Sequence, residues 1–300
     1  MESLTTIRDL IRFSASEMNK EHVFFGHGTD NAFDEAYAMV LHVLHLPFDT
    51  QEQYLAAHVT ADEKNDVLEM LHERVHNRVP LPYLMGYAMF AGLEFTVTPD
   101  VLIPRSPIAE LIENEFEPWV DAESVHRVLD LCTGSGCIGI ACAYAFPEAL
   151  IDIADISNNA LDVARDNILL HGCSVQVQAL ESDLFSAIED QRYDLIVSNP
   201  PYVDGQEMQV LSEEYQHEPK LALEAGEDGL DIVRRILREA GQYLTAQGVL
   251  VVEVGASAEA LNDAYPTIPF LWLEFEYGGD GVFLLTAEQL AQYQDEFDKE

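Results

Sequence analysis

Residues 128–140 read Val-Leu-Asp-Leu-Cys-Thr-Gly-Ser-Gly-Cys-Ile-Gly-Ile, an apolar strand running straight into a glycine-rich turn. Gly134, Gly136 and Gly139 satisfy G-x-G-x-x-G, a spacing that lets backbone approach a ligand closely and opens a helix at the turn. A second apolar strand, Ala149 to Ile156, carries Asp155 near its end, 19 residues beyond Gly136. A carboxylate at that place can accept both hydroxyls of a ribose. From Val125 onward, strand and helix patterns alternate, with parallel strands expected near 127–132, 149–155, 175–180, 193–198 and 248–254. A closing hairpin is expected from Phe270 to Tyr277 and Gly281 to Thr286, around Gly278-Gly279-Asp280, a turn suited to positive φ. The fold class is therefore α/β.

The glycine turn and Asp155 place an adenosine across the first two strands, which suits either a nicotinamide dinucleotide or S-adenosylmethionine (SAM). Ser198-Asn199-Pro200-Pro201-Tyr202 discriminates between them, following the apolar strand Tyr193 to Val197. Two successive prolines have fixed φ and no N–H, so the exit from the strand is stiff, and the Pro200 carbonyl can be aimed at a ligand beside the Asn199 side-chain oxygen. Two acceptors then face one NH2 group. Holding both hydrogens turns the nitrogen lone pair toward an electrophile, while Tyr202 offers the planar group a flat apolar face. A dehydrogenase has little use for that clamp, whereas a methyl-transferring enzyme needs its acceptor nitrogen there. Read alone, the segment is equally a proline-terminated strand with a surface loop.

Taken together, the glycine turn, the acidic strand end and Asn199-Pro200-Pro201-Tyr202 resemble the class I SAM-dependent N-methyltransferases. Arg78, Pro82, Gly86 and Phe90, then Phe95, Val97, Pro99 and Val101-Leu102-Ile103-Pro104-Arg105, resemble the protein-glutamine N5-methyltransferases that modify translation proteins. Glu218-Pro219, Ala222-Leu223, Gly226 and Asp228-Gly229-Leu230 continue the match, which runs from about residue 78 to the end. Where the release-factor branch usually reads Pro-Arg-Pro-Asp-Thr-Glu, this chain has Pro104-Arg105-Ser106-Pro107-Ile108-Ala109-Glu110, similar to the branch that methylates the large-subunit ribosomal protein uL3.

The resemblance implies a Rossmann-like seven-stranded sheet with SAM as cofactor. Cys132, Thr133, Gly134, Ser135 and Gly136 would line its methionine part, Asp155 its ribose, and Asp183 and Leu184 its adenine, where related enzymes often carry a tryptophan. Asn199, which also borders the cofactor, and the Pro200 carbonyl would hold the substrate amide, with Pro201, Tyr202 and Arg105 completing the substrate site. The implied substrate is uL3, free or in an assembly intermediate. Rival readings are a release-factor methyltransferase, an adenine-N6 DNA methyltransferase sharing the clamp, and a non-catalytic SAM-binding ribosome assembly factor.

Charge bears on these rivals. With 54 acidic against 15 basic residues the net charge is −39, a field that opposes nucleic acid and attracts a basic ribosomal protein. Solubility or salt adaptation of the host explains it as well, in a chain with four lysines. Helical spacing of Leu4, Ile7, Leu10, Ile11 and Met18, and of Phe33, Tyr37, Val40, Leu41 and Leu44, with further helices over 50–58 and 61–78, predicts a small helical domain. The expected organisation is a substrate-recognition domain over 1–79, a β-hairpin linker over 80–105 and the methyltransferase domain over 106–300. The first twenty residues lack the basic start and apolar block of a signal peptide, and no uncharged apolar run reaches membrane-spanning length, so a cytoplasmic location is expected. Cys132, Cys137, Cys142 and Cys173 form no C-x-x-C pair and read as reduced core residues. His72-Glu73-Arg74-Val75-His76 matches H-E-x-x-H, but no third ligand accompanies it, and both histidines are expected on a solvated helix face with no metal bound.

Overall fold

The computed structural model describes residues 3–299, which divide into two compact units. One takes in the chain up to Ala88 together with Ser212–His217, and the other takes in Met89–Leu211 and Glu218 onward. The first is built on α1 (Ile7–Lys20), α2 (Ala32–Val43), α3 (Ala61–His76) and the short α4 (Leu81–Met85). Thr6 with Asp9 and Thr60 with Glu63 form reciprocal capping boxes at the starts of α1 and α3. Leu10, Met18, Met39, Val67 and Leu71 meet in its core. The helix expected over 50–58 is a 3-10 turn, Glu52–Ala56, with no buried residue and so no apolar face to extend it.

This unit also buries a charge cluster. Arg74, 1% exposed, donates from Nε to Glu35 (2.5 Å), from Nη1 to Glu214 (3.3 Å) and from Nη2 to the Phe24 carbonyl (2.7 Å). Glu35 and Glu214 are each 2% exposed; Thr29 also donates to Glu35, and the Phe24 N–H donates to Glu214, which Arg78 flanks at 3.7 Å. Segment 212–217 therefore joins the helical unit through Glu214. Within His72-Glu73-Arg74-Val75-His76 the buried side chains are Arg74 and Val75, while both histidines are exposed with their rings 4.7 Å apart. Among the described residues, no group of three or more His, Cys, Asp or Glu is arranged to hold a metal ion.

A hairpin follows, β1 (Tyr87–Phe90) with β2 (Leu93–Thr96), and then α5 (Ile108–Glu113). The second unit continues with β3 (Arg127–Leu131), α6 (Cys137–Ala145), β4 (Leu150–Asp155), α7 (Asn158–Leu170), β5 (Val177–Glu181), β6 (Tyr193–Ser198), α8 (Asp231–Glu239), β7 (Leu244–Glu253), α9 (Ala258–Ala264), β8 (Leu271–Trp272), β9 (Val282–Thr286), α10 (Ala287–Gln292) and α11 (Gln294–Phe297). Among the described residues, the strands form a seven-stranded sheet in the order β5-β4-β3-β6-β7-β9-β8, parallel except for β9, which runs antiparallel to β7 and β8. Alternation along the strands feeds two cores: Val128, Leu195, Val197 and Val251 pack beneath α6 and α7, and Leu129, Leu131, Ile196 and Val252 pack against α8. The closing strand expected over 270–277 is only Leu271–Trp272, because the Glu276 and Tyr277 N–H groups turn to the Glu110 carboxylate instead of a sheet partner.

The sheet order reverses direction between β3 and β6, the place where an open α/β sheet leaves a crevice. Register fixes what lines it. Leu131 is level with both Ala154 and Ser198, and Ser198 with Val252. The next residues along those four strands, Cys132, Asp155, Asn199 and Glu253, thus emerge side by side at one sheet edge.

Candidate active site

A cavity of about 240 Å³ opens at this edge, lined among others by Cys132, Thr133, Gly134, Ser135, Asp155, Asp183, Leu184, Asn199, Pro201 and Arg105. Its floor is the glycine turn. An added Cβ at Gly139 would lie 2.2 Å from Ile153 Cγ2 and 3.2 Å from Asp130, so only glycine lets the start of α6 sit this close to β4. Asp130 is fully buried; one carboxylate oxygen accepts from Thr133 Oγ1 and from the Gly139 N–H (2.9 Å), tying the two ends of the turn together. Its other oxygen has no hydrogen-bond partner among the described residues, and burial pushes the carboxyl up to about 7.

Asp155 ends β4 with one carboxylate oxygen on the Gly134 N–H (2.9 Å) and the other on the Ser157 N–H (2.8 Å). Burial raises its pKa, opposed by those backbone donors. Each oxygen has capacity for a second donor, and the residue lines the cavity, which suits a vicinal diol. Asp183 pairs with Arg235 of α8 (2.9 Å), a cavity-lining arginine that the sequence did not single out. Leu184 is buried in left-handed backbone (φ +52°), its side chain part of the α8-facing core.

On the β6 side, Ser198 Oγ donates to the Leu131 carbonyl (2.8 Å), pinning the strand end to β3, and Val203 pairs with residues 223–225 through two backbone bonds. Asn199 sits between these anchors with its Oδ1 buried and without a hydrogen-bond partner among the described residues. A buried amide oxygen left unpaired costs about 1–3 kcal/mol unless something supplies a donor. Such an acceptor beside a cavity has the chemistry of a receptor for an N–H. Tyr202 donates its hydroxyl to Glu253 Oε1 (3.0 Å), and its carbonyl accepts from Ser257 Oγ (2.8 Å).

Arg105 is placed differently from a free substrate anchor. Its guanidinium makes a two-pronged pair with the buried Glu218 (2.6 and 2.8 Å), which also accepts from the Ile103 N–H (3.0 Å). The pair ties the segment entering α5 to the loop after the clamp. Glu218 and Glu253 are functional candidates that sequence reasoning did not mark, although Glu218-Pro219 lies within the matched segment. A carboxylate closing the apolar run Val-Leu-Val-Val at the end of β7 was the available signal for Glu253.

The methyltransferase small domain family matches residues 116–225, spanning the glycine turn, Asp155 and the clamp. A protein of Francisella tularensis subsp. tularensis named ribosomal protein uL3 glutamine methyltransferase is 51% identical over 300 residues, covering 100% of this chain and 96% of that protein. A protein of the same name from Neisseria meningitidis serogroup B is 48% identical over 291 residues, covering 96% and 95%. Among solved structures, the hMettl16 catalytic domain in complex with a MAT2A 3′UTR hairpin aligns with a TM-score of 0.51 at 16% identity, over 76% of this chain and 81% of that one, a likeness of fold alone. The fold is that of the class I SAM-dependent methyltransferases. At such identity over its whole length, the chain belongs to the ribosomal protein uL3 glutamine methyltransferase family.

Proposed function

We propose that this chain transfers the methyl group of SAM to the side-chain amide nitrogen of a glutamine in ribosomal protein uL3, acting in the cytoplasm on the free protein or an early assembly intermediate. The observation that carries the reading is the unpartnered, buried Asn199 Oδ1 at the edge of the cavity, one residue beyond the strand end that Ser198 locks to β3. The family membership and the names of the relatives support the substrate.

Cys132 to Gly136, all but Gly136 lining the cavity, would hold the methionine part of SAM, Asp155 its ribose, and Asp183 with Leu184 its adenine. Bound there, SAM supplies an electrophilic methyl group on a sulfonium. The chain's own task is then to make a poor nucleophile attack. An amide nitrogen delocalises its lone pair into the carbonyl, so catalysis rests on positioning and the exclusion of water. Asn199 Oδ1 and the Pro200 carbonyl accept the two amide hydrogens. As the nitrogen pyramidalises those hydrogens become more acidic, and both bonds strengthen in the transition state. Tyr202 packs on the amide plane. Arg105, held by Glu218, shapes the entrance, and the helical unit recognises the substrate protein.

Asp155→Ala should weaken SAM binding by roughly 1–3 kcal/mol, the worth of the lost ribose bonds. Calorimetry with the variant checks it, and unchanged affinity removes Asp155 from the site. The activity itself is tested with labelled SAM and, separately, uL3, each peptide-chain release factor and mature ribosomes. Free uL3 should label fastest, with a single methyl increment on one glutamine, and mature ribosomes should be poor substrates because packing blocks a loop from entering the clamp. Faster labelling of a release factor overturns the assignment.

A further inference from the structure

The Tyr202 hydroxyl is not left to the substrate. It donates to Glu253 Oε1 (3.0 Å), while Ser106 Oγ donates to Oε2 of the same carboxylate (2.5 Å) and accepts from the Ile108 N–H (3.1 Å). Glu253 and Ser106 are 5% and 6% exposed. The ring has a fitted seat as well: an added Cβ at Gly255 would lie 2.6 Å from Tyr202 Cε2 and 2.8 Å from Cζ. Glycine at 255 therefore lets the tyrosine ring pack closely against the backbone that follows β7. A carboxylate taken out of water and given one hydroxyl per oxygen costs desolvation that a strand end does not need for folding. Burial accordingly raises its pKa against the pull of both hydroxyls.

We propose that Glu253 is a positioning residue for methyl transfer: bridging the Tyr202 hydroxyl and Ser106, it fixes the tyrosine ring in the one orientation on which the substrate amide plane stacks. The inference rests on the proposed glutamine methylation. It also gives Ser106 a task. Ser106 opens the stretch Ser106-Pro107-Ile108-Ala109, so the start of α5 and the amide-stacking ring share one carboxylate. A ring free to rock about its χ angles would still offer apolar surface, so substrate would still bind. What is lost is alignment of the nitrogen with the incoming methyl, which belongs to kcat.

The test compares wild type, Glu253→Ala, Glu253→Gln, Tyr202→Phe and the Tyr202→Phe/Glu253→Ala double variant on uL3. Glu253→Ala should lower kcat about ten- to a hundredfold, with KM for uL3 and SAM affinity within about threefold. Glu253→Gln should return kcat to within about threefold of wild type, because either hydroxyl can rotate to accept from the new NH2. Tyr202→Phe should slow the rate about tenfold although it keeps the ring, and adding it to Glu253→Ala should cost less than about a further twofold. A readout without turnover is the Tyr202 ring signal in protein carrying ring-labelled tyrosine, assigned by its loss in Tyr202→Phe. That signal should shift in Glu253→Ala and stay in place in Glu253→Gln. Losses that multiply, a glutamine variant as slow as alanine, or a ring signal indifferent to Glu253→Ala each overturn the proposal. Where circular dichroism shows Glu253→Ala unfolded, Tyr202→Phe decides: a rate equal to wild type refutes the positioning role. If wild type itself leaves uL3 unmethylated, the functional reading fails, and the ring signal still decides whether Glu253 holds Tyr202.

Discussion

Asn199→Ala slows methyl transfer by about two or more orders of magnitude while SAM affinity stays within about threefold. The expectation comes from when its hydrogen bond matters. In the ground state the substrate NH2 is an ordinary donor, and the Asn199 Oδ1 bond to it is worth about as much as its bond to water. As the methyl arrives and amide resonance is lost, the hydrogens gain acidity and the bond tightens, so the loss falls on kcat. Asn199 Oδ1 has no other partner among the described residues, so its removal breaks no network of the resting protein, and stability should hold. Single-turnover kinetics with saturating SAM check the rate, and calorimetry checks the affinity. A variant that unfolds, or one that only raises KM for the substrate protein, makes Asn199 a structural strand-end residue.

The site was legible in the sequence where it is local or periodic. A strand, a glycine turn and an acidic strand end lie within about thirty residues, and parallel register then brings Cys132, Asp155 and Asn199 to one edge without further information. What stayed hidden are charges whose partners are distant in sequence. Glu253 meets Ser106 across 147 residues, Glu218 meets Arg105 across 113, and Arg74 meets Glu214 across 140. In a chain with 54 acidic residues each of these reads as solvated, because burial of a carboxylate is decided by which cation or hydroxyl the fold delivers to it. The closing strand was overextended for a related reason: its apolar pattern runs on, but Glu110, far upstream, takes the backbone N–H groups that a strand partner would have used.

Arg74→Ala should destabilise the helical unit by about 3–5 kcal/mol, the range for removing one partner of a buried ion cluster. The arginine is 1% exposed and serves two carboxylates that are each 2% exposed, so its loss leaves Glu35 with the Thr29 hydroxyl and Glu214 with the Phe24 N–H and a longer ion pair to Arg78 (3.7 Å). Glu35 would then have to protonate or reach water, Glu214 would depend on Arg78 alone for a cation, and segment 212–217 would lose its charged tie to α3. Hydrogen exchange should show α1 to α3 opening far more often while β3 to β6 stay protected, because the damage is confined to a unit with its own core. On the proposed division of labour, SAM binding survives and methylation of uL3 suffers through a raised KM. Neutralising Arg74 and its two carboxylates in Arg74→Met/Glu35→Gln/Glu214→Gln, with Arg78 left to its pair with Glu213, should recover most of the lost stability, since the penalty lies in uncompensated charge rather than in the absence of the pair. A single Arg74→Ala variant with unchanged exchange protection would mean that the cluster is solvated in solution, and the helical unit would then owe its stability to its apolar core alone.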